Sequence, residues 1–242
     1  TRVIGVNFQT KWSKTLSAKA KKEVIVSAGA FESPKILMLA GIGDKEELKK
    51  NHITERYHLP GVGKNLHDHL FYAVSSLSNI KTNNYYIPKW RQALALGQYL
   101  LTKSGPLSIG PLEAVAFLKS DETQATPDIQ FQFTPTQPGE NYQYDIFNLD
   151  TFPSESGYTI LPTQVRPLSR GSVSLAGKDP AQTPIIDPQY LSHETDRKVM
   201  VAACKHAIET LEQNAFDAYR IRNNVPANRI SDEALLDHIA QS

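Results

Sequence analysis

Val24-Ile25-Val26-Ser27-Ala28-Gly29-Ala30-Phe31-Glu32-Ser33-Pro34, running on through Ile36-Leu37-Met38-Leu39-Ala40-Gly41-Ile42-Gly43, is the stretch that decides the fold. Its three β-branched residues read as a short buried strand. Four small residues follow, Ser27 to Ala30, and they let the backbone come close to another group where a larger side chain would block it. Ser33-Pro34 predicts an N-cap with a first-turn proline, and Ile36 to Leu39 an apolar helix. Gly41 is placed to stop that helix. A strand that passes through small residues into a helix start brings unpaired backbone amides to one side, which suits a phosphate or another anion. The same small residues would also let a strand and a helix pack closely, and from these residues alone the two readings stand level. Glu32 sits where the helix dipole favours a carboxylate, so it needs no catalytic role.

Upstream, Val3, Ile4, Val6 and Phe8 predict a strand, and the polar stretch 10–22 a solvated turn. Downstream, Asp44 predicts the cap of a second short helix over 45–50, whose acids precede its lysines. The composition changes near Leu59-Pro60-Gly61-Val62-Gly63, beyond which strands outnumber helices. The pattern there predicts a helix over 91–103 ended by Gly105-Pro106, and strands over 112–118, 128–134, 158–165 and 172–175. Residues 136–157, rich in Gly, Asn, Pro and Ser, read as a long surface loop. Val199, Met200, Ala203, Cys204, Ala207, Ile208 and Leu211 recur at helical spacing, and Ser231 opens a last helix with Leu235, Leu236 and Ile239 on one face.

Charge and composition exclude several classes. Lys and Arg number 26 against 25 acids, so no basic field points to nucleic acid. No apolar stretch approaches the roughly 20 residues that span a bilayer. The single cysteine, Cys204, permits no internal disulfide and falls on the apolar face of its helix, a core position; the compartment stays open. The chain opens in mid-strand without an initiator Met and stops on a helix whose apolar stripe has nothing after it, which predicts a piece of a longer protein.

Motifs for chemistry are few. Gly41-Ile42-Gly43 and Gly61-Val62-Gly63 are the G-x-G pairs, but Glu46 and Leu66 stand where a dinucleotide fingerprint needs its third glycine. Ser169-Arg170-Gly171 lacks the leading glycine of a nucleophile elbow. His67-Asp68-His69 would put two imidazoles on one strand face, yet no further ligand stands at a metal-site spacing, so no metal is expected. The plainer expectation is that Asn65 and Asp68 bond local backbone, with the histidines half buried.

What remains is a set of segments in fixed order. The 24–43 stretch closely resembles the second signature of the glucose-methanol-choline (GMC) oxidoreductase family, with Ala40 where members usually carry Ser. Leu59-Pro60-Gly61-Val62-Gly63-Lys64-Asn65-Leu66-His67-Asp68-His69 is similar to the family's LPGVGxNLxDH segment. Pro127-Asp128-Ile129-Gln130-Phe131 looks like its PD strand entry, and Arg166-Pro167-Leu168-Ser169-Arg170-Gly171-Ser172-Val173-Ser174-Leu175 like its RPxSRGxVxL segment. Pro184, Asp187-Pro188, Tyr190-Leu191 and Asp196 continue the pattern, so the resemblance covers essentially the whole chain.

The resemblance implies an α/β fold with an antiparallel sheet. Residues 1–63 would be part of a GMC-type FAD-binding domain, and 64–242 a substrate-binding domain of antiparallel strands flanked by helices, incomplete at its C-terminus. It implies an FAD-dependent alcohol oxidase or dehydrogenase that removes a hydride from a CH–OH carbon to the flavin while a base takes the hydroxyl proton. Ser27, Ala28, Gly29, Ala30 and Ser33 would bind the FAD. The family's glycine-rich fingerprint has no counterpart here, and its catalytic His is expected beyond Ser242, so this chain alone would be inactive. The substrate would be a small-molecule alcohol, and the remaining segments of the same enzyme the partner. The resemblance puts the strands over 112–118, 128–134 and 158–165 beside the flavin ring. Alternation sends Gln130, Gln132 and Thr134 to one sheet face and Ile129, Phe131 and Phe133 to the other, with either face open as the inner one. Choline-oxidising relatives carry a His at what looks like the Gln132 position. Gln132 is the first candidate for substrate contact; if the other face is the inner one, Phe131 and Phe133 would form an apolar wall instead. A hydroxynitrile lyase on the same fold, or a flavin-free non-catalytic binding domain, are the alternatives.

Overall fold

The computed structural model describes every residue except 1, 11–13, 140–143, 146, 227–229 and 242. In chain order the helices and strands are β1 (Gly5–Gln9), β2 (Thr15–Lys19), α1 (Gly29–Leu39), β3 (Ile42–Gly43), α2 (Lys45–Lys50), β4 (Tyr57–His58), β5 (Lys64–Leu66), β6 (Val74–Ser78), α3 (Lys89–Thr102), β7 (Ala114–Leu118), β8 (Ile129–Thr134), β9 (Gly157–Gln164), β10 (Gly171–Ser174), β11 (Ile185–Asp187), α4 (Glu194–Leu211), β12 (Arg220–Val225) and α5 (Asp232–Gln241). They form two units: residues 1–67 with 170–189, and residues 68–169 with 190–242. The composition change near Gly63 falls four residues before the first crossing. The return of 170–189 to the first unit had no sequence signal.

In the first unit, β1 pairs antiparallel with β2, Gly5 opposite Lys19 and Gln9 opposite Thr15. The solvated turn expected over 10–22 therefore contains a strand, because its backbone groups complete the ladder of β1. The buried strand expected at Val24–Val26 does not form. These residues join no ladder, and Ile25 is 79% exposed. α1 starts at Gly29, four residues ahead of the expected cap. Ser33 lies inside it, and its hydroxyl accepts a 2.9 Å hydrogen bond from the Ala28 amide. Other local signals held. Gly41 follows the end of α1 at φ +83°, and the Asp44 carboxylate accepts from the Glu46 and Glu47 amides at 3.0 and 3.1 Å to cap α2. A three-stranded sheet, β11-β10-β5, closes the unit over a small core of Met38, Leu48 and Leu175. Glu47 ties it together by accepting from the Leu175 amide at 2.9 Å.

The second unit is built on a five-stranded antiparallel sheet in the order β12-β6-β9-β8-β7. α4 covers one face, and α5 packs against α4. Ile129, Phe131 and Ile160 of the sheet meet Met200, Ala203 and Cys204 of α4 in its core. Cys204 is fully buried, and desolvation pushes its thiol far up, so it packs as an apolar side chain. β6 escaped the sequence reading because three of its five residues are serines, yet all five are buried. Burial is tolerated because the hydroxyls are bonded: Ser78 donates to the Tyr219 carbonyl at 3.1 Å and Ser76 to Asn223 at 3.4 Å.

Two carboxylates explain motif positions without chemistry. Asp128 accepts from the Ser120 amide at 2.7 Å and from its hydroxyl at 2.6 Å, which closes the turn between β7 and β8. Asp196, in the first turn of α4 and 1% exposed, accepts from Gln164 at 2.8 Å, from the Leu168 amide at 2.9 and 3.1 Å, and from the Ser169 amide at 2.6 Å. Desolvation alone would raise its carboxyl, but the donors from Leu168, Ser169 and Gln164 together outweigh it and hold the group below the ordinary carboxylate range.

Candidate functional site

The first unit carries an open cleft of about 330 Å³ at the start of α1, lined by Ala30, Pro34, Gly63, Lys64, Asn65, Leu66, His67 and Val173. Pairing of β5 with β10 builds one wall, and the Val173 amide donates to the Gly63 carbonyl at 2.7 Å. Of the expected cofactor residues, Ser27, Ala28, Gly29 and Ala30 are all exposed around the helix start, and Ala30 lines the cleft. Ser33 is turned back onto the Ala28 amide. Gly29 takes φ +86°, and a Cβ built there would meet nothing within 4 Å. That glycine therefore serves the backbone turn and leaves a clear approach to the first-turn amides.

The electrostatics suit an anion. α1 is 11 residues long and its N-cap, Ala28, contributes no side-chain acceptor, so the first amides keep their donors and the positive end of the dipole. Glu32 is neutralised by Lys35 at 3.0 Å, and Lys64 places a cation on the cleft wall. These features fit a dinucleotide pyrophosphate, with small residues where an adenosine would come close.

Around the His67-Asp68-His69 segment, no three His, Cys, Asp or Glu among the described residues converge as metal ligands. The two histidines are exposed, not half buried as expected. His67 Nδ1 lies 3.1 Å from the Asn65 carbonyl, and Asn65 takes φ +61°. Asp68 accepts from the His69 amide at 2.8 Å and from the Tyr190 hydroxyl at 3.0 Å. Burial, that hydrogen bond and the Asp68 charge push the Tyr190 phenol up to about 12.

In the second unit, register decides which candidates share a surface. Gln132 stands opposite Val115 on β7 and Leu161 on β9, and Gln130 opposite Phe117 and Thr163. Both glutamines are half-buried on the face away from α4, and neither amide side chain bonds another described residue. Phe131 is in the core on the helix-covered face. Phe133 packs beside it, its ring 6.1 Å from Tyr158 and 6.5 Å from Phe216. Gln132 and the two phenylalanines thus lie on opposite faces of the sheet, as their alternation predicts. Val115, Phe117 and Leu161 flank the glutamines on their own face. Glu113, just before β7 and opposite Thr134 by register, continues this parity and adds a carboxylate at its edge. Extending the alternation backwards from 115 and 117 would have found it.

Family models described as GMC oxidoreductase match residues 1–71 with the N-terminal region and 167–242 with the C-terminal region. The chain is 35% identical over 240 residues to a protein named oxygen-dependent choline dehydrogenase from Rhizobium etli, covering 98% of this chain and 42% of that protein. It is 32% identical over 239 residues to the mitochondrial choline dehydrogenase of Homo sapiens, covering 98% of this chain and 39% of that protein. Among solved structures, formate oxidase superposes with a TM-score of 0.84 at 23% identity, covering 98% of this chain and 45% of that one. Pyridoxine 4-oxidase from Mesorbium loti superposes at 0.78 with 24% identity, covering 100% and 42%. The chain thus spans about 42% of the length of the first of these relatives.

Proposed function

The chain belongs to the GMC oxidoreductase family, and on that premise we propose that it is part of an enzyme that oxidises the CH–OH group of a small alcohol with FAD as the hydride acceptor. The observation that carries this reading is the uncapped start of α1 beside a cleft, with Gly29 open to approach. Bound there, FAD supplies an electron-deficient ring that takes up a hydride. The amides from Gly29 onward would hold its pyrophosphate, Ala30 and Pro34 would flank it, and Lys64 would add a counter-charge. Nothing in the site or in these relatives supports the lyase alternative.

Flavin titration of the full-length enzyme tests the cradle. Gly29→Val blocks the approach, and the expected result is weaker flavin binding with the sheet of the second unit intact by circular dichroism. A branched residue is also strained at φ +86°, so Ala30→Leu, which fills the cleft from ordinary helical backbone, is the companion variant. Unchanged affinity in both folded variants would reduce this turn to a packing device.

On the substrate side, Gln132 is assigned the hydroxyl. Its amide both donates and accepts, so it can orient the alcohol, but it cannot take the proton, and the base is a separate group. Gln132→Ala is expected to lower kcat/KM by about tenfold to a hundredfold, the cost of leaving a buried polar partner unpaired. Flavin absorbance should stay normal. Gln130→Ala, one pleat away on the same face, is the control; equally small losses at both positions would remove this face from the substrate site. Two of the relatives are named choline dehydrogenases, and choline is a cationic alcohol. Glu113 at the edge of the same face is a carboxylate that could meet such a charge. Glu113→Gln should then raise KM for a cationic alcohol and leave a neutral one unchanged.

A further inference from the structure

Lys64 and His67 stand at the two positions that the LPGVGxNLxDH pattern leaves open, and both line the cleft at the start of α1. The imidazole is held by its own chain. Its Nδ1 lies 3.1 Å from the Asn65 carbonyl, and a carbonyl has no proton to give, so Nδ1 carries the hydrogen. Nε2 is therefore the ring nitrogen that gains or loses a proton. Among the described residues no hydrogen bond reaches it.

Charged groups on the surrounding elements are engaged, with one exception. On α1, Glu32 and Lys35 pair at 3.0 Å. Asp68, the next residue, accepts from the His69 amide and the Tyr190 hydroxyl. Asp187 of β11 accepts from the Gln189 amide at 3.3 Å and from its side chain at 2.6 Å, and Arg170, just before β10, has a partner as well. The exception is Lys64, which has no carboxylate partner among the described residues. The cleft thus presents an uncapped helix start, one unpaired cation and one imidazole able to become a second. Imidazole changes charge between about pH 5 and 8, whereas the phosphates of a dinucleotide stay negative throughout that range.

We propose that His67 is a further cofactor-binding residue, whose imidazole takes up a proton from solvent at Nε2 when the pyrophosphate enters the cleft. The inference rests on the cradle at α1 being the flavin site. By linkage, a ligand that favours the charged ring binds more tightly where the ring is charged. The gain is complete below the pH at which the free ring titrates, and it is lost as pH rises through the value of the bound ring. An opposite charge within about 4–6 Å raises an imidazole by about one unit, which corresponds to about tenfold in affinity.

The test is flavin titration of the full-length enzyme after removal of its flavin, from about pH 5.5 to about 8.5. Calorimetry in two buffers of different ionisation enthalpy counts the protons. Kd should be about tenfold lower at the acid end, with net proton uptake on binding. His67→Gln should flatten this dependence at the alkaline affinity, and His67→Lys, a permanent cation, at the acid affinity. Lys64→Gln should weaken binding at every pH and keep the slope. His69→Gln, outside the cleft lining, should keep both affinity and slope. A wild-type affinity that does not change with pH, or a slope that survives His67→Gln, overturns the proposal. Should Gly29→Val and Ala30→Leu still weaken flavin binding in that case, the role of His67 alone falls; should they not, the cradle falls with it.

Discussion

Asp196→Ala should destabilise the second unit by about 3 kcal/mol or more, among the larger losses a single side chain can cause. The carboxylate is buried and is the acceptor for the Leu168 and Ser169 amides and the Gln164 amide group, so its removal strands these donors. Those bonds fix the 166–171 segment against the first turn of α4, and fraying should begin there. Denaturant unfolding at neutral pH measures the loss, and Tm should fall by roughly 6–12 °C for a chain of this size. Asp196→Asn keeps one acceptor oxygen but turns an NH2 towards a donor, so it should fall in between. The pH dependence follows from the sign of the shift. The folded carboxyl titrates below the unfolded one, so its contribution is present above the ordinary carboxylate value of about 4 and is lost as pH falls through the folded value. The Asn variant should therefore lose less stability than wild type on acidification through that window. Parallel acid profiles would show that the carboxylate's charge is not what its donors hold.

Gly63→Ala should be nearly as costly, for a steric reason. Gly63 takes φ +75°, and a Cβ there would sit 2.1 Å from the Val173 carbonyl oxygen, a backbone atom that cannot step aside alone. Relief requires β10 to shift from β5, which breaks the 2.7 Å bond from the Val173 amide to the Gly63 carbonyl. Strain and the lost bond together should cost about 3 kcal/mol. Gly63 and Val173 also line the cleft, so flavin retention should drop with stability, read as the ratio of flavin to protein absorbance after purification. Ala30→Leu should lower retention with Tm nearly unchanged. If Gly63→Ala keeps both flavin and Tm, the wall of the cleft is not built by this contact.

Local chemistry was legible in the sequence and long-range chemistry was not. Asp44 as a cap, Gly41 as a stop and the spacing along 195–213 each depend on neighbours within a turn or two, and each appears as read. β2 and β6 were missed because polar residues form strands when a partner ladder and bonded hydroxyls await them, and neither is visible locally. Val24–Val26 shows the converse: β-branched residues without a ladder do not make a strand. At the site, alternation separated Gln132 from Phe131 and Phe133 correctly. Only the seating of α4 shows that the phenylalanines face the core. The cleft was half visible. Its small-residue turn is contiguous, but Val173 reaches it through a pairing that no pattern ranks above its competitors.

That pairing also sets a timetable. β5 meets β10 through Leu66 and Gly171, so the first unit cannot complete its sheet until about a hundred more residues have been made. At roughly 5–20 residues per second of synthesis, the nascent 1–67 segment waits on the order of 5–20 seconds. Throughout that wait Met38 and Leu48 lack Leu175, the third member of their small core. The emerging chain is thus exposed to chaperones and proteases for a fixed interval, and codons between 67 and 171 set its length.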